Sequence, residues 1–95
     1  MKTNFDSITD GEIEHAVGLV MPQDRYPVQE SDVRRIAWFA WWMHYMQAWH
    51  GWPVTYFDHD GTNYDGHHRV RAAKFLARRR QFQVMIPVRY SEGMQ

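Results

Sequence analysis

Apolar and polar positions along the chain change their period several times, and each change marks an element. Residues 1–10 show no period and predict an arm outside the domain. Ser7, Thr9 and Asp10 are each suited to cap a short segment, Gly11–Val20, with Glu12 and Glu14 placed near the positive end of a helix dipole. The same segment closes with Ala16-Val17-Gly18-Leu19-Val20, a compact apolar run that also suits a strand, so the pattern leaves both open. Met21–Gln29, with Pro22 and Pro27, predicts a loop. Ser31 then predicts an N-cap, with Asp32 in the first turn, for a helix running to His50 and stopped by Gly51, with Pro53 beyond it.

The rest of the pattern is strand, turn, strand, helix, strand. Val54-Thr55-Tyr56-Phe57 predicts a strand, Asp58-His59-Asp60-Gly61 a turn, and Thr62–Asp65 a returning strand that meets a sharp corner at Gly66. From His67 the period becomes helical, with Val70, Ala73, Leu76 and Ala77 on the core side and His67, Arg71, Lys74 and Arg78 on a separate stripe. Gln83–Tyr90 predicts a last strand and Ser91–Gln95 a tail. The expected fold is α+β, a small mixed β-sheet with flanking helices, in a single domain over residues 1–95 with residues 1–10 and 91–95 flexible.

The helix from Ser31 does not keep its apolar residues to one stripe. Ile36, Phe39, Ala40, Met43 and Met46 mark one side, while Trp38, Trp41, Trp42, Tyr45 and Trp49 cover much of the rest. A helix apolar nearly all round is buried on more than one side. Either the helix pairs two copies of the chain, a homodimer through Trp38, Trp41, Trp42 and Trp49, or it sits in a large aromatic core with tryptophan edges partly exposed. Base stacking on these tryptophans is a weaker option, since stacking platforms favour exposed sheet faces and grooves.

Composition narrows the picture. With 95 residues and no cysteine, the chain has no disulfide framework, no thiolate metal site and no cysteine nucleophile. Its opening residues are polar and acidic, unlike a secretion signal, and its longest apolar run, Ile36–Met43, is far short of the roughly 20 residues of a membrane span. A cytoplasmic protein with no membrane partner is expected. The net charge of zero hides an asymmetry: residues 1–32 carry seven acidic groups against Lys2 and Arg25, whereas residues 66–90 carry seven basic groups and no acidic one. The basic end would meet nucleotide or nucleic acid, with Arg71, Lys74 and Arg78 as nucleic-acid contacts, or it would pair with the acidic end of the same chain or of a second copy.

Asp65-Gly66-His67-His68-Arg69 is the candidate chemistry. A helix start offers unpaired N–H groups and partial positive charge to an anion, Gly66 lets the chain bend and a ligand approach, and the Arg69 fork fits a phosphate. His67 and His68 point about 100° apart and are poorly placed to share one ion. No structural zinc is therefore expected, and a magnesium ion held by nucleotide phosphates and one carboxylate, Asp65, is the better metal hypothesis. Asp65 also suits the bland role of a helix-capping carboxylate. None of the serines or threonines stands in a nucleophile motif.

Asp65-Gly66-His67-His68-Arg69 with Val70-Arg71-Ala72-Ala73 resembles the signature of the ParB/sulfiredoxin-like superfamily. Gly51–Phe57 resembles the strand before that motif and Phe82–Val88, with Ile86-Pro87-Val88, the strand after it, and the likeness is arguable from Met21 to Tyr90. The resemblance implies an extended stretch before Met21, and Arg25 as a second phosphate contact beside Gly66, His67, His68 and Arg69. Sulfiredoxin chemistry needs a cysteine where this chain has His67, and the centromere-binding members carry a further helical domain for which these residues leave no room. Small-molecule kinases and nuclease-like members imply Asp65, His67 and His68 as catalytic groups serving metal, phosphate or proton transfer. The expected function is nucleotide or phosphate binding, as a hydrolase, phosphotransferase or nuclease if catalytic. The alternative is a non-catalytic DNA- or protein-binding accessory module of plasmid or phage type.

Overall fold

The computed structural model describes residues 5–20, 31–57, 63–79 and 82–91. Arg25 with its loop, the Asp58–Gly61 turn, Arg80 and the last four residues of the expected tail lie outside the described residues. A single 3-10 turn, Phe5–Ser7, leads into helix α1 (Asp10–Leu19), helix α2 (Asp32–Met46), strands β1 (Val54–Phe57) and β2 (Asn63–Asp65), helix α3 (His67–Arg79) and strand β3 (Val88–Ser91). The class is α+β.

The segment that the pattern left open is a helix, against the extended stretch that the resemblance implies. Thr9 caps it, its hydroxyl accepting the Glu12 N–H at 3.1 Å. Packing decides the rest: Ile13, Ala16 and Val20 are buried at helical spacing, while Gly18 and Leu19 face outward. The expected arm is folded onto the domain from Phe5 onward, because Ile8 belongs to the main core and Asp10 opens α1.

α2 starts as expected, with Ser31 Oγ accepting the Arg34 N–H at 3.3 Å. It ends at Met46, four residues before His50. Gln47 takes a left-handed backbone at φ 54°, and its side-chain amide donates to the His44 carbonyl at 2.7 Å, so the stop is local and needs no glycine. Two clusters explain the all-round apolar surface. Ile36, Ala40 and Met43 meet Ile8, Ile13, Ala73, Phe75 and Leu76 in the larger one. Ala37 and Trp38 meet Ala16 and Val20 in the smaller. α2 is thus the central helix, with α1 on one flank and α3 on another. Trp38 is buried, and Trp41, Trp42 and Trp49 are half-buried.

The sheet has three strands in the order β2-β1-β3, with β1 antiparallel to β2 and parallel to β3. α3 makes the crossover between β2 and β3. Val54, fully buried, is aligned with Val88, and its N–H donates to the Pro87 carbonyl at 3.0 Å. The last strand is shorter than the pattern predicts. Phe82, Val84 and Ile86 pack on the core while Gln83 and Met85 point outward, so the period of two is present, but ladder pairing begins only at Val88. No helix among the described residues is long and apolar enough to cross a membrane.

Candidate functional site at the head of helix α3

β1 and the Gly66 corner set the position of α3. Gly66 has φ +94°, and a Cβ there would lie 2.6 Å from Val54 Cγ1. The glycine is therefore demanded by packing on the buried start of β1, and the side on which a Cβ would stand is filled. The Val70 N–H closes the first turn on the Gly66 carbonyl at 2.9 Å, so the preceding N–H groups of α3 lie at a helix start with no intrahelical acceptor.

His67 and His68, the first two residues of α3, both meet Phe5. The His67 ring stacks on it with centroids 5.4 Å apart and planes 15° apart, and the His68 ring meets it edge-on at 5.0 Å. His67 is exposed and His68 half-buried. His68 Nε2 stands 2.6 Å from Asp32 Oδ1, at the first turn of α2. Burial pushes the His68 pKa below its usual 6.5, with Arg35 and His67 acting in the same direction and the Asp32 carboxylate opposing them.

Arg69, the expected phosphate clamp, makes structural contacts. Its Nη1 donates to the Trp52 carbonyl at 2.6 Å, and its guanidinium lies 6.0 Å from the Phe39 ring centroid and 5.7 Å from that of Trp49. Trp49 Nε1 donates to the same carbonyl at 3.0 Å. Gly51, at φ +107°, leaves room for the fork, since a Cβ there would collide with Arg69 Nη1. Arg69 thus pins the loop between α2 and β1 to the first turn of α3. His50, in that loop, stacks on Trp42 and meets Trp38 edge-on, and burial followed by the charge of Arg69 lowers its pKa.

The basic stripe of α3 is also largely occupied. Arg71 Nη2 donates to the Ile8 carbonyl at 2.8 Å and to Asp10 Oδ1 at 2.9 Å, and Arg78 grips the same carboxylate through Nε at 3.0 Å and Nη2 at 2.9 Å. The hydrogen bond from Arg78, followed by that from Arg71, holds the Asp10 pKa down to about 2 against the effect of burial. Of the two expected uses for the basic end, pairing with the acidic end of the same chain is realised at Asp10. Lys74 and Arg79 are exposed.

Asp65 is exposed immediately before the corner. Among the described residues no three His, Cys, Asp or Glu side chains gather as a metal site. A separate cleft of about 280 Å³ opens among the three helices, lined by Val17, Ala40, Trp41, His44, Tyr45, Phe75 and Leu76. None of the residues at the head of α3 lines it.

The sequence pattern singled out Gly66, His67, His68 and Arg69, and the fold places them in one turn. It did not single out Phe5 or the role of Asp32. Phe5 gave a signal, as a lone aromatic in a polar segment. Asp32 gave none, because its partner stands 36 positions away. No protein-family model, curated protein or solved structure matches the chain.

Proposed function

We propose that the chain is a ParB/sulfiredoxin-like domain that binds a phosphate group, most simply that of a nucleotide, at the head of α3. The carrying observation is the Gly66–His68 turn, where two imidazoles flank the N-terminal end of a helix directly after a hairpin strand. His67 supplies the exposed contact and His68 the half-buried proton-transfer group beside it, while Arg69 acts indirectly by fixing the loop against the turn. In a catalytic version, a hydrolase, phosphotransferase or nuclease, Asp65 would accept a proton or hold a magnesium ion carried by the nucleotide, and His68 would transfer a proton.

Thermal unfolding against ATP, ADP, CTP and GTP, with and without magnesium, tests this reading. A ligand at about a hundred times its dissociation constant adds about 2.7 kcal/mol, several degrees in a domain of this size. His67→Ala is the informative variant, because the exposed ring can be removed at little cost to the fold. A nucleotide shift lost in His67→Ala supports the site. No shift with any nucleotide overturns it.

A second reading, a non-catalytic protein-binding module of plasmid or phage type, draws on the exposure of Trp52, Met85 and Tyr90 at 80%, 89% and 63%. Its DNA-binding form is weaker, since Arg71 and Arg78 already hold Asp10. DNA binding that falls steeply with salt would restore that form.

A further inference from the structure

Two helix starts are tied together by one side-chain contact, His68 Nε2 to Asp32 Oδ1 at 2.6 Å, and an aromatic ring from the N-terminal turn leans on the same imidazole. Asp32 is a favourable charge in the first turn of α2. Its carboxylate does more at this distance. An ionised carboxylate offers only acceptors, so a neutral imidazole that meets it must bring its hydrogen on Nε2. The lone pair then stands on Nδ1, on the other side of the ring. One bond therefore sets the tautomer, the orientation and the identity of the basic nitrogen.

We propose that Asp32 is the positioning residue of a proton-accepting Asp32–His68 dyad, which leaves His68 Nδ1 to accept a proton from the P–OH of a hydrogen phosphate, or from a water beside a phosphate ligand, at the head of α3. The inference rests on the phosphate-site reading for its ligand, while the dyad itself can be tested without one. His68 is faced by Asp32 and Arg35 from α2, by His67 from its own helix and by the uncharged Phe5 ring. Burial, with the Phe5 ring packed edge-on against the imidazole, favours its neutral form. Asp32 acts in the opposite direction, because a carboxylate stabilises the imidazolium. The balance leaves a histidine that is neutral near neutral pH yet oriented as a base, which is what proton acceptance requires. If the bound phosphate is an ester that is hydrolysed, the attacking water forms the new P–O bond as Nδ1 takes its proton. The P–O bond to the leaving group breaks on the far side of phosphorus, that oxygen takes a proton from solvent water, and Nδ1 returns its own proton to solvent.

The opposed actions of Phe5 and Asp32 give a test that a simple tie between helices would not pass. Side-chain nitrogen NMR of the histidines, followed as a function of pH, is measured in the parent protein, in Asp32→Asn and in Phe5→Ala, with and without inorganic phosphate. The parent is expected to show His68 protonated on Nε2 when neutral, with a low-field proton that is lost in Asp32→Asn. The His68 titration midpoint is expected to fall in Asp32→Asn and to rise in Phe5→Ala. Phosphate should shift the Nδ1 resonance in the parent, and Asp32→Asn should diminish that response. A neutral His68 that carries its proton on Nδ1, or a midpoint indifferent to Asp32→Asn, overturns the dyad. If the dyad signatures are present but phosphate moves no histidine resonance, the phosphate ligand is overturned and the dyad stands. A loss of fold in either variant would be seen in the same spectra, and Asp32→Glu, which keeps the carboxylate, then serves as the comparison that must retain the low-field proton.

Discussion

Glycines and an arginine at the head of α3 show how single residues hold the site together. Gly66 has both a left-handed φ and a Cβ position only 2.6 Å from Val54 Cγ1 and 3.1 Å from its Cβ. Because Val54 is fully buried it has nowhere to retreat, so Gly66→Ala combines backbone strain with overpacking, for a loss of about 2–4 kcal/mol in chemical denaturation. Gly51→Ala acts by another route. Its Cβ meets the end of the Arg69 side chain, which can swing away, but only by leaving the Trp52 carbonyl and the faces of Phe39 and Trp49. Arg69→Ala breaks the same set of contacts, and each variant should lose about 1–3 kcal/mol. Gly51→Ala also strains a backbone at φ +107°, so the losses should be only partly additive in the double variant: the strain persists while the shared Arg69 contacts are lost once. Fully additive losses would mean that Gly51 makes no room for Arg69. Arg69, expected as a phosphate contact, also has a structural role that its motif position alone could not reveal.

Between elements, a polar contact ties α1 to α3. Asp10 sits at the start of α1, where a carboxylate also suits the helix dipole, and it receives three hydrogen bonds from two arginines of α3. Asp10→Asn keeps the size and removes the charge, leaving the Arg71 guanidinium, whose Nη1 is already buried without a partner, short of its carboxylate. A loss of about 1–3 kcal/mol is expected, visible as a Tm lowered by several degrees. An unchanged Tm would show that Arg71 and Arg78 find solvent or other acceptors at no cost. Such long-range pairing explains why legibility differed among the elements. The start of α3 and its helical period were readable, since the Gly66 corner defines the start locally. The caps of Thr9 and Ser31 were readable for the same reason. The helical state of α1 was not, because it is decided by Ile13, Ala16 and Val20 meeting α2. Ala77, expected on the core side, is exposed, while Ala72 and Phe75, outside the expected stripe, are buried, since α3 packs on a surface other than the single stripe its period marks. At the site, the turn and its histidines were legible, while Phe5, Asp32 and the Trp52 carbonyl arrive only through tertiary contact.

Across the whole molecule, separate charge effects combine into one dependence of stability on pH. His50 and His68 lie in different places, one in the tryptophan belt and the other at the head of α3, yet burial lowers both pKa values below the usual 6.5. As pH falls through about 6.5 the unfolded chain takes up these protons first, so stability is lost progressively until the folded-state values are passed. Asp10 governs a lower window. Its folded pKa of about 2 lies below its usual 3.8, so the stabilisation it provides is complete above about 3.8 and disappears as pH falls toward about 2. Denaturant midpoints measured from neutral pH downward should therefore decline in two stages, with little change between them apart from the general titration of surface carboxylates. Combining His50→Phe with His68→Gln should flatten the upper stage and leave the lower one, while Asp10→Asn should do the reverse. Added salt should weaken the lower stage more than the upper, because the Asp10 pairing with the half-exposed Arg78 is open to screening whereas histidine burial is not an ion-pair effect. A protein that became more stable between neutral pH and about pH 5 would show that these histidines gain more from nearby carboxylates than they lose by burial. That outcome would make Asp32 the dominant neighbour of His68, with Phe5 a minor one, and would place a charged imidazolium at the head of α3 where a neutral base is expected.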